Sequence, residues 1–159
     1  MTRTALSTLA LVLLSSLATP SLVQADASLG PHLGINFDWD DPLIGLEARF
    51  DTARLGNSAN LQLSPSFSFY LVNDVTILNF SFLVPFEFII QNSSLRPFVA
   101  PGLGIFFFDF EGHSNTDAKL ALVGGLLFDL ESVEPFFEMR AFVIDGSLVE
   151  LVGGVLFKL

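Results

Sequence analysis

From Val75 to Gln91 the chain reads VTILNFSFLVPFEFIIQ, and every even position from Leu78 to Ile90 is large and apolar. These are Leu78, Phe80, Phe82, Val84, Phe86, Phe88 and Ile90, with Asn79, Ser81, Pro85 and Glu87 among the positions between them. Successive side chains of an extended strand point to opposite faces, so the stretch predicts a strand with one apolar and one polar face. A soluble sheet turns such an apolar face toward a core, and a membrane barrel turns it toward lipid.

The same period recurs on both sides of this stretch. Leu29 to Asp38 sets Leu29, Pro31, Leu33, Ile35 and Phe37 against Gly30, His32, Gly34, Asn36 and Asp38, and the acidic turn Trp39-Asp40-Asp41-Pro42 follows. Leu43 to Asp51 opposes Ile44, Leu46, Ala48 and Phe50 to Gly45, Glu47, Arg49 and Asp51. Arg54 to Asn60 reads as a turn. Leu61 to Leu71 alternates Leu and Phe with Gln62, Ser64, Ser66, Ser68 and Tyr70, and Asn73-Asp74 turns the chain into the first stretch described.

After the turn at Gln91 to Leu95, Arg96 to Phe110 is nearly all apolar. If Val99, Leu103, Ile105 and Phe107 face outward there, then Ala100, Gly102 and Gly104 face inward and leave room for long neighbours. Glu111 to Asp117 is the most polar loop. Ala118 to Leu130, Glu134 to Ile144 and Leu148 to Leu159 alternate again, the last two joined by the hairpin signal Asp145-Gly146. Eight segments with short connections and no helical pattern predict an all-β, eight-stranded antiparallel up-and-down barrel, whose closure removes the edges that invite aggregation.

Composition sharpens the choice of solvent. Of 159 residues 51% are hydrophobic and only 15% charged, against about 25% charged in ordinary soluble domains. Beyond residue 27 no run approaches the roughly 20 apolar residues of a membrane helix. Arg3, the apolar run Ala5 to Leu17, Pro20 and Val23-Gln24-Ala25 read as a secretory signal peptide over residues 1–25, cleaved after Ala25, or else after Ala27. An N-terminal helical anchor is the other reading of that run. The barrel domain is then residues 26–159. Cysteine is absent and the formal charge is −10, which excludes a disulfide scaffold and argues against nucleic acid, since that partner calls for clustered Lys and Arg.

One face of each segment is apolar while the other carries both signs: Glu47, Arg49, Glu87, Glu138, Arg140, Glu150 and Lys158. Opposite charges inside a narrow barrel can pair, so these seven are expected to form an interior structural network, with Glu87 finding Arg49, Arg140 or Lys158. A soluble barrel of the lipocalin type satisfies the same period. Pro65, Pro85, Pro101 and Pro135 each remove a ladder donor and are expected at bulges or strand ends. Interfacial belts favour Trp and Tyr, whereas here 18 Phe accompany only Trp39 and Tyr70.

Three stretches carry a family resemblance. RPFVAPGLGIFFF (Arg96 to Phe108), EPFFEMRAF (Glu134 to Phe142) and the alternating C-terminal strand resemble the small eight-stranded outer-membrane barrels of the OmpA/OmpX-like family, over essentially the whole mature length. The resemblance implies a protein of the Gram-negative cell envelope, in contact with membrane lipids and lipopolysaccharide. It also implies that outer-membrane assembly machinery reads the last strand, although such signals usually end in Phe and this chain ends in Leu159. The family includes anchors, adhesins and defence proteins, small-molecule channels and a few lipid-modifying enzymes.

Candidate chemistry is sparse. Outer-membrane lipid A deacylases are barrels with a His-x-Ser-Asn motif, and His113-Ser114-Asn115 is similar except that His and Ser are adjacent. On a strand they would face opposite ways, and no carboxylate stands where a triad needs one. Asp38, Asp40 and Asp41 offer oxygen ligands without a glycine-structured loop, and His32 has no second ligand near it in sequence. The reading is therefore a structural, surface-interaction or envelope-integrity barrel, porin-like in architecture, with no catalysis, cofactor or metal. A narrow channel or a binding barrel for a small apolar molecule is the alternative, suggested by the Gly and Ala on inward faces.

Overall fold

The computed structural model describes residues 26–72, 75–110, 113–143 and 146–159. The expected signal peptide lies outside these residues, as do Asn73, Asp74, Glu111 and Asp145 of the expected turns. The strands are β1 (Ala27–Asn36), β2 (Asp41–Leu55), β3 (Ala59–Tyr70), β4 (Thr76–Leu83), β5 (Phe86–Phe88), β6 (Leu95–Phe110), β7 (His113–Phe128), β8 (Val133–Val143) and β9 (Leu148–Lys158). Strands that follow one another in sequence pair antiparallel, except β4 with β5, and β1 pairs with β9 from Ser28↔Lys158 to Asn36↔Glu150, which closes the sheet. β4 and β5 share the same two neighbours, β3 and β6, so nine segments make eight staves. No helix occurs among the described residues.

The wall has the polarity of a membrane barrel. Leu33 is 69% exposed, Leu122 61% and Phe82 51%, while Arg140 and Glu150 on the inner face are fully buried. A lipocalin-type barrel keeps its apolar face inside, so the soluble reading would leave the whole Leu and Phe wall in water. β6 takes the facing expected of it, with Val99, Leu103 and Phe107 outward and Ala100 and Phe106 buried inside.

The prolines are handled differently from expectation. The register of β3 with β4 (Ser64↔Leu83) continues unshifted into β5 (Leu61↔Phe86), and β6 behaves likewise. Gln62 donates to the Pro85 carbonyl at 2.9 Å and Val84 to the Pro101 carbonyl at 2.9 Å, but neither proline can return a bond. Two half-made rungs at one level therefore interrupt the stave between Leu83 and Phe86 without a bulge. Pro65 also leaves its register intact, and Pro135 sits near the start of β8. The irregularity of β2 falls instead at Thr52, between the pairs Asp51↔Gln62 and Ala53↔Leu61.

Three expected turns shrink. Arg54 and Asn60 are paired strand residues, leaving a turn at 56–58 where Gly56 takes a φ of +65°. Asp41 and Pro42 already belong to β2, and Asn36 Oδ1 accepts the Asp38 and Trp39 amides at 3.0 Å each to fix the turn before them. The polar stretch after residue 112 is not a loop: Phe110↔His113, Asp109↔Ser114 and Phe108↔Asn115 extend the β6–β7 ladder. Among the described residues β7 meets β8 only from Leu120 onward, so there this hairpin tip has no partner on β8. Residues 113–116 are all exposed, so they have no burial contrast to write an alternating pattern.

Candidate functional site

The inner face is where the polar side chains converge. β2 carries Glu47-Ala48-Arg49 and β8 carries Glu138-Met139-Arg140, and the two-residue spacing turns Glu and Arg of each pair inward together. Arg49 holds Glu47 (2.8 Å) and Glu138 (3.2 Å), while Arg140 holds Glu138 (2.5 Å) and Glu47 (2.8 Å). Each charge thus touches both charges of opposite sign, and Ser64 Oγ donates to Glu47 at 3.0 Å. Phe98 and Phe136 flank the Arg49 guanidinium, with ring centroids 4.3 and 5.1 Å from its carbon. All four charged groups are at most 2% exposed. Such burial is tolerated because the ring is neutral and hydrogen-bonded.

The other expected members lie in separate layers. Glu150 accepts from Tyr70 Oη and from Asn36 Nδ2 (3.4 Å), nearer the far mouth where the β1–β2 turn sits. Glu87 lies toward the opposite mouth, where β1 begins and β9 ends. Its cation is Arg96 (2.7 Å), rather than Arg49, Arg140 or Lys158. Lys158 is a rim residue bound to Asp129 and to the Leu130 carbonyl (2.6 Å). Arg96 and Asp129, which were not among the seven charges of the expected network, form an ion pair there. Their inward parity, shared with Phe98 and Leu127, was the available signal.

Aromatic rings close the far mouth. Trp39 meets Tyr70 edge-on at 5.3 Å and Phe108 at 6.0 Å, and Phe106 meets Phe142 at 5.0 Å. The lone Trp and Tyr thus plug the lumen rather than forming an interfacial belt. The inward glycines are filled as well. A methyl group at Gly104 would come within 2.6 Å of the Phe142 ring, at Gly125 within 2.6 Å of Phe98, and at Gly154 within 2.7 Å of Phe136. The room they leave is occupied by neighbouring rings, which removes the support for an apolar binding cavity or an open channel.

The chemical candidates are not assembled into a catalytic or metal centre among the described residues. His113, Ser114 and Asn115 are exposed on the β6–β7 hairpin, each opposite a β6 residue without a catalytic partner. A histidine–serine contact does exist elsewhere: His32 Nε2 lies 3.0 Å from Ser68 Oγ, 36 residues away. Both are buried inside the barrel, and His32 Nδ1 has no partner where a triad would place its carboxylate. Asp38 accepts the Val149 amide at 2.6 Å and so anchors a turn. No group of three or more acids, histidines or cysteines converges as a metal site among the described residues.

No family model and no curated protein matches the chain. Among solved structures, the N-terminal β-barrel domain of Pseudomonas aeruginosa OprF matches with a TM-score of 0.69 at 16% identity, covering 84% of this chain and 97% of that one. Neisserial surface protein A matches with a TM-score of 0.62 at 15% identity, covering 85% and 96%. The outer-membrane enzyme PagL matches with a TM-score of 0.57 at 11% identity, covering 84% and 99%. The fold is that of the small eight-stranded outer-membrane barrels. Since an enzyme shares it with proteins of other roles, fold alone does not decide activity.

Proposed function

We propose that this protein is an integral outer-membrane barrel with a structural, surface-interaction or envelope-integrity role, without catalysis and closed to free diffusion. One observation carries this reading: the wall is apolar outside while the lumen is blocked by the Arg49–Glu47–Arg140–Glu138 ring and the Trp39–Tyr70–Phe106 plug. An eight-stranded barrel encloses just enough space for side chains to fill, and here they do. The connections at both mouths are short, so contact with partners falls to the projecting β6–β7 hairpin and to the lipid-facing wall. Membrane lipids and lipopolysaccharide are the surroundings this wall fits. The β9 strand, with Val149, Leu151, Val155 and Phe157 facing outward, is what assembly machinery would read.

The test combines fractionation with electrical recording. The protein is expected in outer-membrane fractions, with a gel mobility that shifts on boiling, and planar bilayers containing it are expected to show no steady conductance. Recovery as a soluble periplasmic protein without a mobility shift would overturn the membrane assignment, and stable unitary currents would overturn the closed lumen. Altered lipid A in expressing cells would overturn the absence of catalysis.

A further inference from the structure

At the mouth where β1 begins and β9 ends, the lumen widens into a polar cavity of about 240 Å³ above Arg49. One of its walls is saturated. Arg96 bridges Glu87 and Asp129, and Lys158 bridges Asp129 and Glu134, the latter at 4.0 Å. The facing wall, the β2–β3 hairpin, is not.

The bulge at Thr52 determines what that wall presents. Before it, Glu47, Arg49 and Asp51 face inward in turn. With the register unbroken, Ala53 would stand opposite the buried Asn60. The bulge puts Arg54 there instead, in the pair Arg54↔Asn60. Cross-strand partners share a face, so Arg54 is turned over the cavity, where it has no ion-pair partner among the described residues. Thr52 Oγ1 donates to the Leu61 carbonyl at 2.9 Å and secures the bulge. Bulges at barrel rims re-aim side chains in this way.

The acidic half of the wall is equally open. Asp51 accepts from Gln62 Nε2 at 2.8 Å and meets no cation among the described residues. The amide nitrogens of Gln62 and Asn60 are fixed on Glu87 at 3.2 and 3.4 Å, which leaves Gln62 Oε1 and Asn60 Oδ1 as buried acceptors without a hydrogen bond. Buried polar atoms of that kind are uncommon and call for a partner.

We propose that this wall binds a small zwitterion, with its carboxylate on Arg54 and its ammonium on Asp51 beside the Gln62 and Asn60 carbonyl oxygens. A simple anion would meet Asp51, and a simple cation would leave Arg54 unmatched. A molecule bearing both charges satisfies both. The cavity equals the share of about eight waters at roughly 30 Å³ each, which suits a molecule the size of a free amino acid.

The experiment titrates the whole barrel, refolded in a non-ionic detergent, with L-alanine, acetate and methylammonium at matched ionic strength. Backbone amide resonances of residues 51–62 are followed by NMR. L-alanine is expected to give saturable shifts there, with an apparent affinity at least tenfold above that for acetate or methylammonium. Arg54→Gln, at an exposed rim position, is expected to weaken it at least tenfold, and Glu131→Gln, outside the cavity, to leave it unchanged. Boiling-dependent gel mobility checks that both variants fold. No saturable shift with L-alanine, equal responses to the three probes, or an unchanged affinity in Arg54→Gln would each overturn the proposal.

Discussion

Arg140 Nη2 lies 2.8 Å from Glu47 Oε2, although 93 residues and two intervening staves separate their strands. The pair spans the lumen and ties β8 to β2 through side chains alone. Because each of the four ring charges has two partners, losing one leaves a buried charge exposed to a low-dielectric interior.

Arg140→Met is therefore expected to destabilise the barrel by about 3–5 kcal/mol, the usual effect of stranding one member of a buried pair. Adding Glu47→Gln removes the stranded charge and should recover a large part of that loss. Urea unfolding in detergent, read as a double-mutant cycle, should show the double variant losing far less than the sum of the two single losses. Additive effects would mean that the two groups do not share one network.

Phe82 is 51% exposed near the middle of its stave. Phe82→Arg places a charge against lipid at a cost of about 2–4 kcal/mol at the bilayer midplane. Its folded yield in vesicles should fall sharply, whereas Ser81→Thr on the neighbouring inward position should be mild. Equal folding of Phe82→Arg and the parent chain would contradict a lipid-facing wall.

Gly104 has no space for a side chain, since a Cβ there would sit 2.6 Å from Phe142 Cε1. Gly104→Ala should cost about 1–3 kcal/mol through overpacking. Combining it with Phe142→Leu should restore part of that loss. If Gly104→Ala alone is neutral by thermal or urea unfolding, the ring-over-glycine packing of the lumen is wrong.

Pro85→Ala restores a donor opposite the Gln62 carbonyl without any need to shift register. One new ladder bond contributes about 0.5–1.5 kcal/mol, offset by about 0.4–1 kcal/mol as the unfolded chain regains freedom. The net change should stay within about 1 kcal/mol, and hydrogen exchange should show a new protected amide at position 85. An unprotected amide there would show that the stave is truly split.

Trp39 is the chain's sole tryptophan and packs inside the far mouth against Tyr70 and Phe108. Phe108→Ala should redden its emission and increase quenching by iodide. Unchanged emission would place the indole outside the plug.

The alternation of apolar and polar residues wrote the barrel directly into the chain, because in a wall one residue thick each position faces either lipid or lumen. The same parity assigned Glu47, Arg49, Glu138 and Arg140 to the inside, and their repeated Glu-x-Arg spacing already pointed to mutual pairing. Where the pattern had nothing to record, it misled: residues 113–116 of β7 are all exposed, so strand residues there read as loop.

Partner choice inside the lumen was not in the sequence. Which charges meet depends on the stagger of eight staves around a closed ring, a sum of registers that no single segment carries. That stagger gave Glu87 to Arg96, set His32 against Ser68, and filled the gaps over inward glycines with Phe98, Phe136 and Phe142. It also settled Pro85, whose missing donor costs a rung but not the register, since the ladders on both sides hold the stave in line. The sequence by itself determined what each residue faces, through a period set by local backbone geometry. Only the closed tertiary structure decided what each residue touches, because those contacts cross the barrel.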